Sequence, residues 1–246
     1  DLLASKGAEI VYVDYDQHDN LVNALKGTDA LISTVAPART ATVWDFDALQ
    51  TPLLDAAKAA GVKRFIPSEF GIDYRVGDHP VSDTKASFRE KVQNSGLEYT
   101  IILCGLFAEF LGWFAFDVKN KTATFLVDGS TKLAVISLSD VAKFTAESLK
   151  LNECRNTTIR VIGSSLPLNE ILKNFEQATG SKWKVIEDKD AKHRFQNKID
   201  PIPSPMDMYK IVIVERSLSD DNIDNDKFSF SPRPLIEDIN VLVKQT

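Results

Sequence analysis

The sequence predicts an α/β protein: a doubly wound parallel sheet with helices on both faces and a smaller lobe woven from its later segments. Three observations carry this. Strand-like and helix-like segments alternate through the first hundred residues. Each strand is short and apolar at successive positions rather than at every second one, as a sheet buried on both faces requires. The helices end at glycines, Gly27, Gly61 and Gly96, which suit the left-handed turn that closes a helix.

The elements follow in order. Glu9 to Val13 reads as a strand, and Asn20 to Lys26 as a short helix. Ala30 to Thr34 is the next strand, then comes an Ala- and Leu-rich helix from Asp47 to Ala60. Arg64 to Pro67 is a strand, Ser82 to Asn94 a helix capped by Ser82, and Tyr99 to Cys104 a strand. After Gly105 the pattern loosens. Phe107 to Phe116 reads as an aromatic helix, and Thr122 to Leu126 and Lys132 to Ile136 as strands around the turn Asp128-Gly129. Ser139 to Lys150 is amphipathic, Thr158 to Ile162 a strand, and Leu168 to Thr179 a helix closed by Gly180. Pro201 to Pro205 reads as a semi-rigid loop, and Pro234 to Lys244 as the last helix. The expected division is 1–106, a dinucleotide-binding type of domain, and 107–246, a substrate lobe interleaved with the remaining sheet elements.

Composition narrows the function classes. The 246 residues carry 29 Lys+Arg against 35 Asp+Glu, a net charge of −6, the wrong sign for a dedicated nucleic-acid binder or an anionic membrane surface. The longest apolar run, Leu103 to Phe116, is broken by Gly105, Glu109 and Gly112 and falls short of a membrane span. Cys104 and Cys154 are expected to be reduced thiols of a cytoplasmic protein. The three histidines, His18, His79 and His193, have no second ligand at metal spacing, so no metal is expected and surface placement is. The acidic run Asp220 to Asp226 lacks the glycine and glutamate of a calcium loop and reads as solvated.

The most informative stretch is Gly61-Val62-Lys63-Arg64-Phe65-Ile66-Pro67-Ser68-Glu69-Phe70-Gly71-Ile72-Asp73. A buried strand runs into a proline and a small, acidic, glycine-containing turn. In a parallel sheet that turn lies beyond the carboxyl end of its strand, where ligands sit. The run resembles the RF-x-PSEFG segment of the isoflavone reductase-like and NmrA-like reductases, atypical short-chain dehydrogenases. The resemblance implies a Rossmann-type fold binding NADPH, and its preference for NADPH over NADH rests on the resemblance alone. These reductases carry a G-x-x-G-x-x-G loop that holds the pyrophosphate on a helix N-terminus. No such loop occurs in this chain, which opens within a helix end (Asp1 to Lys6, stopped by Gly7). The expectation is that roughly 30 or more residues, about one βαβ unit, precede it in the complete protein.

The resemblance extends to Lys85-Ala86-Ser87-Phe88-Arg89 and Gly96-Leu97-Glu98-Tyr99-Thr100, similar to the reductases' K-x-x-x-R and G-I-P-Y-T. It implies that Lys85 is the catalytic proton relay and that Arg89 contacts the dinucleotide. Spacing of four puts both on one helix face. A lysine desolvated by burial exchanges protons near neutrality, whereas an exposed one does not. The position four before Lys85 is Val81, so the Tyr-x-x-x-Lys pair of ordinary short-chain dehydrogenases is absent. Ser82 and Tyr74 remain as alternative proton donors.

By the same analogy Thr34, Val35 and Ala36 line the cofactor at the end of their strand, as do Ser68, Glu69, Phe70 and Gly71. Cys104, Gly105, Leu106 and Phe107 stand where the plant enzymes read S-N-C-F, with glycine replacing asparagine, and Gly105 to Phe107 are expected along the cofactor. The aromatic stripe Phe107, Phe110, Trp113, Phe114 and Phe116 serves equally as core. Alternatively Phe107, Phe110, Phe114 and Pro203 bound an apolar pocket for an aromatic or polyketide-like substrate. The expected function is an NADPH-dependent reductase, with a small-molecule substrate and a homodimer as its expected associations. The competing reading is an NmrA-type dinucleotide sensor without catalysis.

Overall fold

The structure, a computed structural model, describes residues 2–38 and 44–245. In chain order the elements are α1 (His18–Leu25), β1 (Ala30–Ile32), α2 (Phe46–Ala60), β2 (Arg64–Ile66), α3 (Pro80–Gln93), β3 (Glu98–Leu103) and β4 (Leu106–Phe107). Then come α4 (Leu111–Phe114), β5 (Phe116–Asp117), β6 (Thr122–Phe125), β7 (Lys132–Ile136), α5 (Leu138–Ser148), β8 (Thr157–Arg160) and β9 (Ser164–Pro167). The last are α6 (Leu168–Thr179), β10 (Lys184–Glu187), α7 (Ala191–Asn197), α8 (Pro205–Glu215) and α9 (Leu235–Gln245).

The central sheet has the order β1-β2-β3-β8 and is parallel throughout, with Ala30 opposite Arg64, Phe65 opposite Tyr99 and Ile101 opposite Thr158. Side chains of successive residues point to opposite faces of a strand, so a sheet covered twice needs apolar residues at consecutive positions. Phe65 and Ile101 pack on one face with Leu53, Ala57, Phe88 and Val92 of α2 and α3. Ile66 and Ile102 pack on the other with Val141 and Phe144 of α5. A further core, built on Phe116, Phe125, Phe175 and Trp183, also takes in Phe46, Ile72, Tyr74 and Val81 of the first hundred residues, and two smaller sheets run β10-β6-β5 and β4-β7-β9.

Four sequence expectations are corrected. Residues 9–13 form no strand: among the described residues no strand pairs with them, and Val11 and Tyr12 are exposed. The segment from Phe107 to Phe116 is not one helix, because Phe107 is drawn into a ladder opposite Ile136 and Phe116 into one opposite Ala123, leaving four residues for α4. Pro205 begins α8 rather than ending a loop: the Ser204 hydroxyl accepts from Asp207 N while the Asp207 carboxylate accepts from Ser204 N, a capping box with proline in the first turn. The acidic run is not simply solvated. Asp224 accepts from Arg160 N, and Asn225 both accepts from Ile162 N and donates to Ile162 O, so side chains satisfy the backbone at the end of β8. No described helix is long and apolar enough to cross a membrane.

Candidate active site

The carboxyl ends of β1, β2 and β3 converge, and the turn after β2 is fastened from three sides. Gln50 of α2, fully buried, accepts from Ser68 N at 2.6 Å and donates to Phe46 O. The Ser68 hydroxyl donates to Val35 O at 2.8 Å, joining the turn to the end of β1. Gly71 O accepts from Cys104 N and Gly105 N at 2.8 and 2.9 Å, joining it to the end of β3. Between these ties Phe70 adopts φ +23°, a conformation that side chains other than glycine enter only when held there. The glycine at 71 is required for space: a Cβ there would lie 2.2 Å from the Tyr74 hydroxyl.

Held in this way, the turn offers two main-chain oxygens to α3. The Lys85 ammonium donates to Ser68 O at 3.0 Å and to Glu69 O at 2.5 Å, and lies 4.2 Å from the Phe46 ring centre and 4.8 Å from that of Tyr74. Lys85 is 5% exposed. Burial pulls its pKa down to about 8, opposed by the charges of Glu69 and Cys104. Burial likewise raises Glu69 to about 7, against Lys85 and Arg89, and pushes the Cys104 thiol up to about 12. Burial thus moves acid and amine toward neutrality from opposite sides, while the ammonium meets the Glu69 main chain and the carboxylate meets Arg89. One Glu69 carboxylate oxygen is buried without a hydrogen-bond partner.

Arg89, one turn on from Lys85, is spent on the same loop: its guanidinium meets Glu69 at 3.4 Å, Asp73 at 3.2 Å and Tyr74 O at 2.5 Å. Tyr74 is buried, with its hydroxyl 3.2 Å from that of Tyr209 on α8. Burial raises both phenols, Tyr209 to about 12.

The structure therefore gathers Ser68, Glu69, Phe70, Gly71, Lys85, Arg89 and Gly105 at one place. Thr34 and Ala36 are exposed and Val35 half-buried at the adjoining end of β1, where the buried Ser33 hydroxyl has no partner. Gly105, at φ +73°, passes so close to Ala134 O that a Cβ would sit 2.4 Å from it. Leu106 is core, Phe107 is half-buried, and Phe110 is 46% exposed with its ring 5.5 Å from that of Phe107. Phe114 sits in the core around Phe116 beside a cavity of about 10 Å³, lined also by Phe125, Leu168 and Lys210, that does not border Lys85. Pro203 is half-buried just ahead of α8. No group of three or more metal-ligating side chains is gathered among the described residues. Sequence reasoning missed Gln50 and Tyr209. A glutamine inside an apolar helix, three residues before Leu53, was the only signal for the first.

The parallel four-stranded sheet with helices on both faces makes this an α/β protein of doubly wound type. The chain belongs to the NmrA-like family, whose model matches residues 1–228, in agreement with the resemblance carried by 61–73. It is 31% identical over 184 residues to the photosystem II assembly factor Ycf39 of Cyanophora paradoxa, covering 73% of this chain and 57% of that one. It is 28% identical over 199 residues to the bifunctional pinoresinol-lariciresinol reductase 1 of Linum usitatissimum, covering 74% and 62%. The chain thus spans 57 to 62% of the length of these curated relatives. The binary complex of leucoanthocyanidin reductase with NADPH from Vitis vinifera shares the fold, with a TM-score of 0.78 at 22% identity over 99% of this chain and 85% of that one.

Proposed function

We propose that this chain belongs to an NADPH-dependent reductase of an aromatic or polyketide-like small molecule, with Lys85 exchanging the substrate's proton. One observation carries the reading: an ammonium buried at the ligand-facing end of a parallel sheet, hung on two backbone carbonyls and pulled down to about 8. Surface lysines have no such surroundings, and an amine desolvated at the ligand-facing end of a sheet is the kind of group that active sites tune. The reductases among its relatives support the reductase part of this reading.

The residues present fit a dinucleotide. The unpartnered Ser33 hydroxyl, the exposed Thr34 and Ala36 and the close-lying backbone at Gly105 form an edge on which a flat ligand can rest. Ser68 to Gly71 and Gly105 to Phe107 would hold its nicotinamide end, and bound NADPH supplies the hydride. Arg89 holds the Glu69–Asp73 loop in place around that end. Lys85 then stabilises or protonates an oxygen on the substrate, and Glu69, at about 7, sets how readily it does so. Phe107 and Phe110 supply the apolar wall.

The test is Lys85→Ala with a reporter of NADPH oxidation. Loss of an acid–base group lowers kcat by about 10²- to 10⁴-fold and leaves cofactor affinity nearly unchanged. Lys85→Arg should not restore it, since a guanidinium keeps its proton. Retention of more than about a tenth of the rate excludes the relay. A dinucleotide-sensing regulator without catalysis is the second reading. It is favoured by the seal of Phe46 and Tyr74 over the ammonium and by the likeness to an assembly factor.

A further inference from the structure

The helix that carries Lys85 is capped by His79 and not by Ser82 as the sequence suggested; Ser82 lies inside the first turn with its hydroxyl buried and unpartnered. The residue before Pro80 is His79, whose Nδ1 accepts from Val81 N at 3.1 Å, while its Nε2 lies 3.2 Å from Pro205 O, the first residue of α8. A carbonyl only accepts, so Nε2 carries a proton. A backbone N–H only donates, so Nδ1 does not. The two contacts together select the neutral Nε2–H tautomer, and a protonated ring satisfies only one of them.

His79 is also one of three neighbouring links between the Lys85 loop and α8. Its ring lies 5.0 Å from that of Tyr209, at 33°. Tyr209 meets the Tyr74 hydroxyl, and Asp78 receives two hydrogen bonds from Arg216, at 2.7 and 2.8 Å. The charged groups around the imidazole are otherwise committed. Asp83, on its own helix, accepts from Gly77 N and favours the imidazolium. Asp78 is bound to Arg216, and Asp207 of α8 is bound to Ser204. Burial outweighs the hydrogen bond to Pro205 O and the charge of Asp83, both of which favour the imidazolium, and holds the ring's pKa below 6.5.

We propose that His79 is a positioning residue for Lys85: the neutral ring caps the first turn of α3 while tied to α8, and protonation removes the cap but keeps the tie. An imidazolium turns an N–H toward the Val81 N–H, where an acceptor is needed, and adds positive charge at the positive end of a helix. The first turn of α3 loosens, and the enclosure of Lys85, one turn further along, loosens with it. The functional weight of this device rests on the reading of Lys85 given above, but its physical content does not.

The experiment reads the intact chain without substrate or cofactor. Imidazole ¹⁵N shifts should report the Nε2–H tautomer at neutral pH. As pH falls through the His79 titration, amide-exchange protection at Val81 should drop about tenfold relative to Phe88 on the same helix, the loss expected for one helix cap. In His79→Asn the amide oxygen still caps α3 but does not titrate and does not reach Pro205, so Val81 protection should become independent of pH. The Lys85 ¹⁵Nζ titration in that variant should move up from about 8 toward the ordinary 10.5 as the link to α8 is lost. An Nδ1–H tautomer, the same acid-induced loss at Val81 in wild type and His79→Asn, or an unmoved Lys85 midpoint would each overturn the proposal. None of these results bears on turnover, so a failed role for His79 and a failed reductase reading are told apart.

Discussion

Replacing Lys85 with Met keeps a long apolar stem and removes a buried charge. A folded-state pKa of about 8 against the ordinary 10.5 means that holding the ammonium in the fold costs about 3 kcal/mol at neutral pH. The unfolded chain keeps its proton up to about 10.5, whereas the folded one releases it near 8. Between those values the unfolded state binds more protons, so stability rises with pH. The penalty is whole below 8 and gone above 10.5. Urea denaturation of wild type and Lys85→Met across this window reads the effect, together with the upward shift of Glu69 once the Lys85 charge is gone. The wild type should gain about 3 kcal/mol on the variant from the lower to the higher pH. A difference that stays flat would refute the claim that burial governs this amine.

Three further outcomes are expected. Gly71→Ala forces a methyl to within 2.2 Å of the Tyr74 hydroxyl and should destabilise by about 1–3 kcal/mol, seen as a lower Tm together with loss of the Tyr74–Tyr209 bond. A double-mutant cycle over Asp78→Ala and Arg216→Ala should give a coupling of about 1 kcal/mol, the upper end for a partly exposed pair, because the geometry is bidentate. The carboxyl of Asp238 is raised to about 6, first by burial, so the folded state holds its proton more tightly than the unfolded one. Stability should therefore fall as pH rises from 3.8 past 6, and Asp238→Asn should flatten that fall in a thermal-denaturation series.

Helices with glycine stops and strands with apolar runs were legible from sequence because each signal is local. α6 is found from Leu168 to Thr179 with Gly180 in the left-handed conformation, the limits its pattern predicts, and α2 differs by one residue. What failed was decided elsewhere in the chain. Residues 9–13 look like a strand, but a strand exists only through a partner. The aromatic stripe has helical spacing, yet Phe107 and Phe116 are claimed by ladders to distant strands. α8 was hidden because Met208 to Val214 is apolar on most sides and shows no helical period, although Ser204-Pro205 with Asp207 spelled out its start. At the site, the burial of Lys85 and its company could be expected from the resemblance. The role of His79 could not: its cap on α3 lies two residues along the chain, but its link to α8 spans 126.

Lys85 is held by main-chain oxygens, and that shapes what mutagenesis can see. Truncating Ser68 or Glu69 to alanine removes the tie to Val35 O or the ion pair with Arg89 but not the carbonyls that hold Lys85, so a side-chain scan of this turn reads its fastenings and not the anchor itself. Only a change in the path of the backbone removes it, such as a proline at Phe70 or a bulky residue at Gly71. Tolerance of substitution at 68 and 69 would therefore be compatible with a geometry that admits almost no variation.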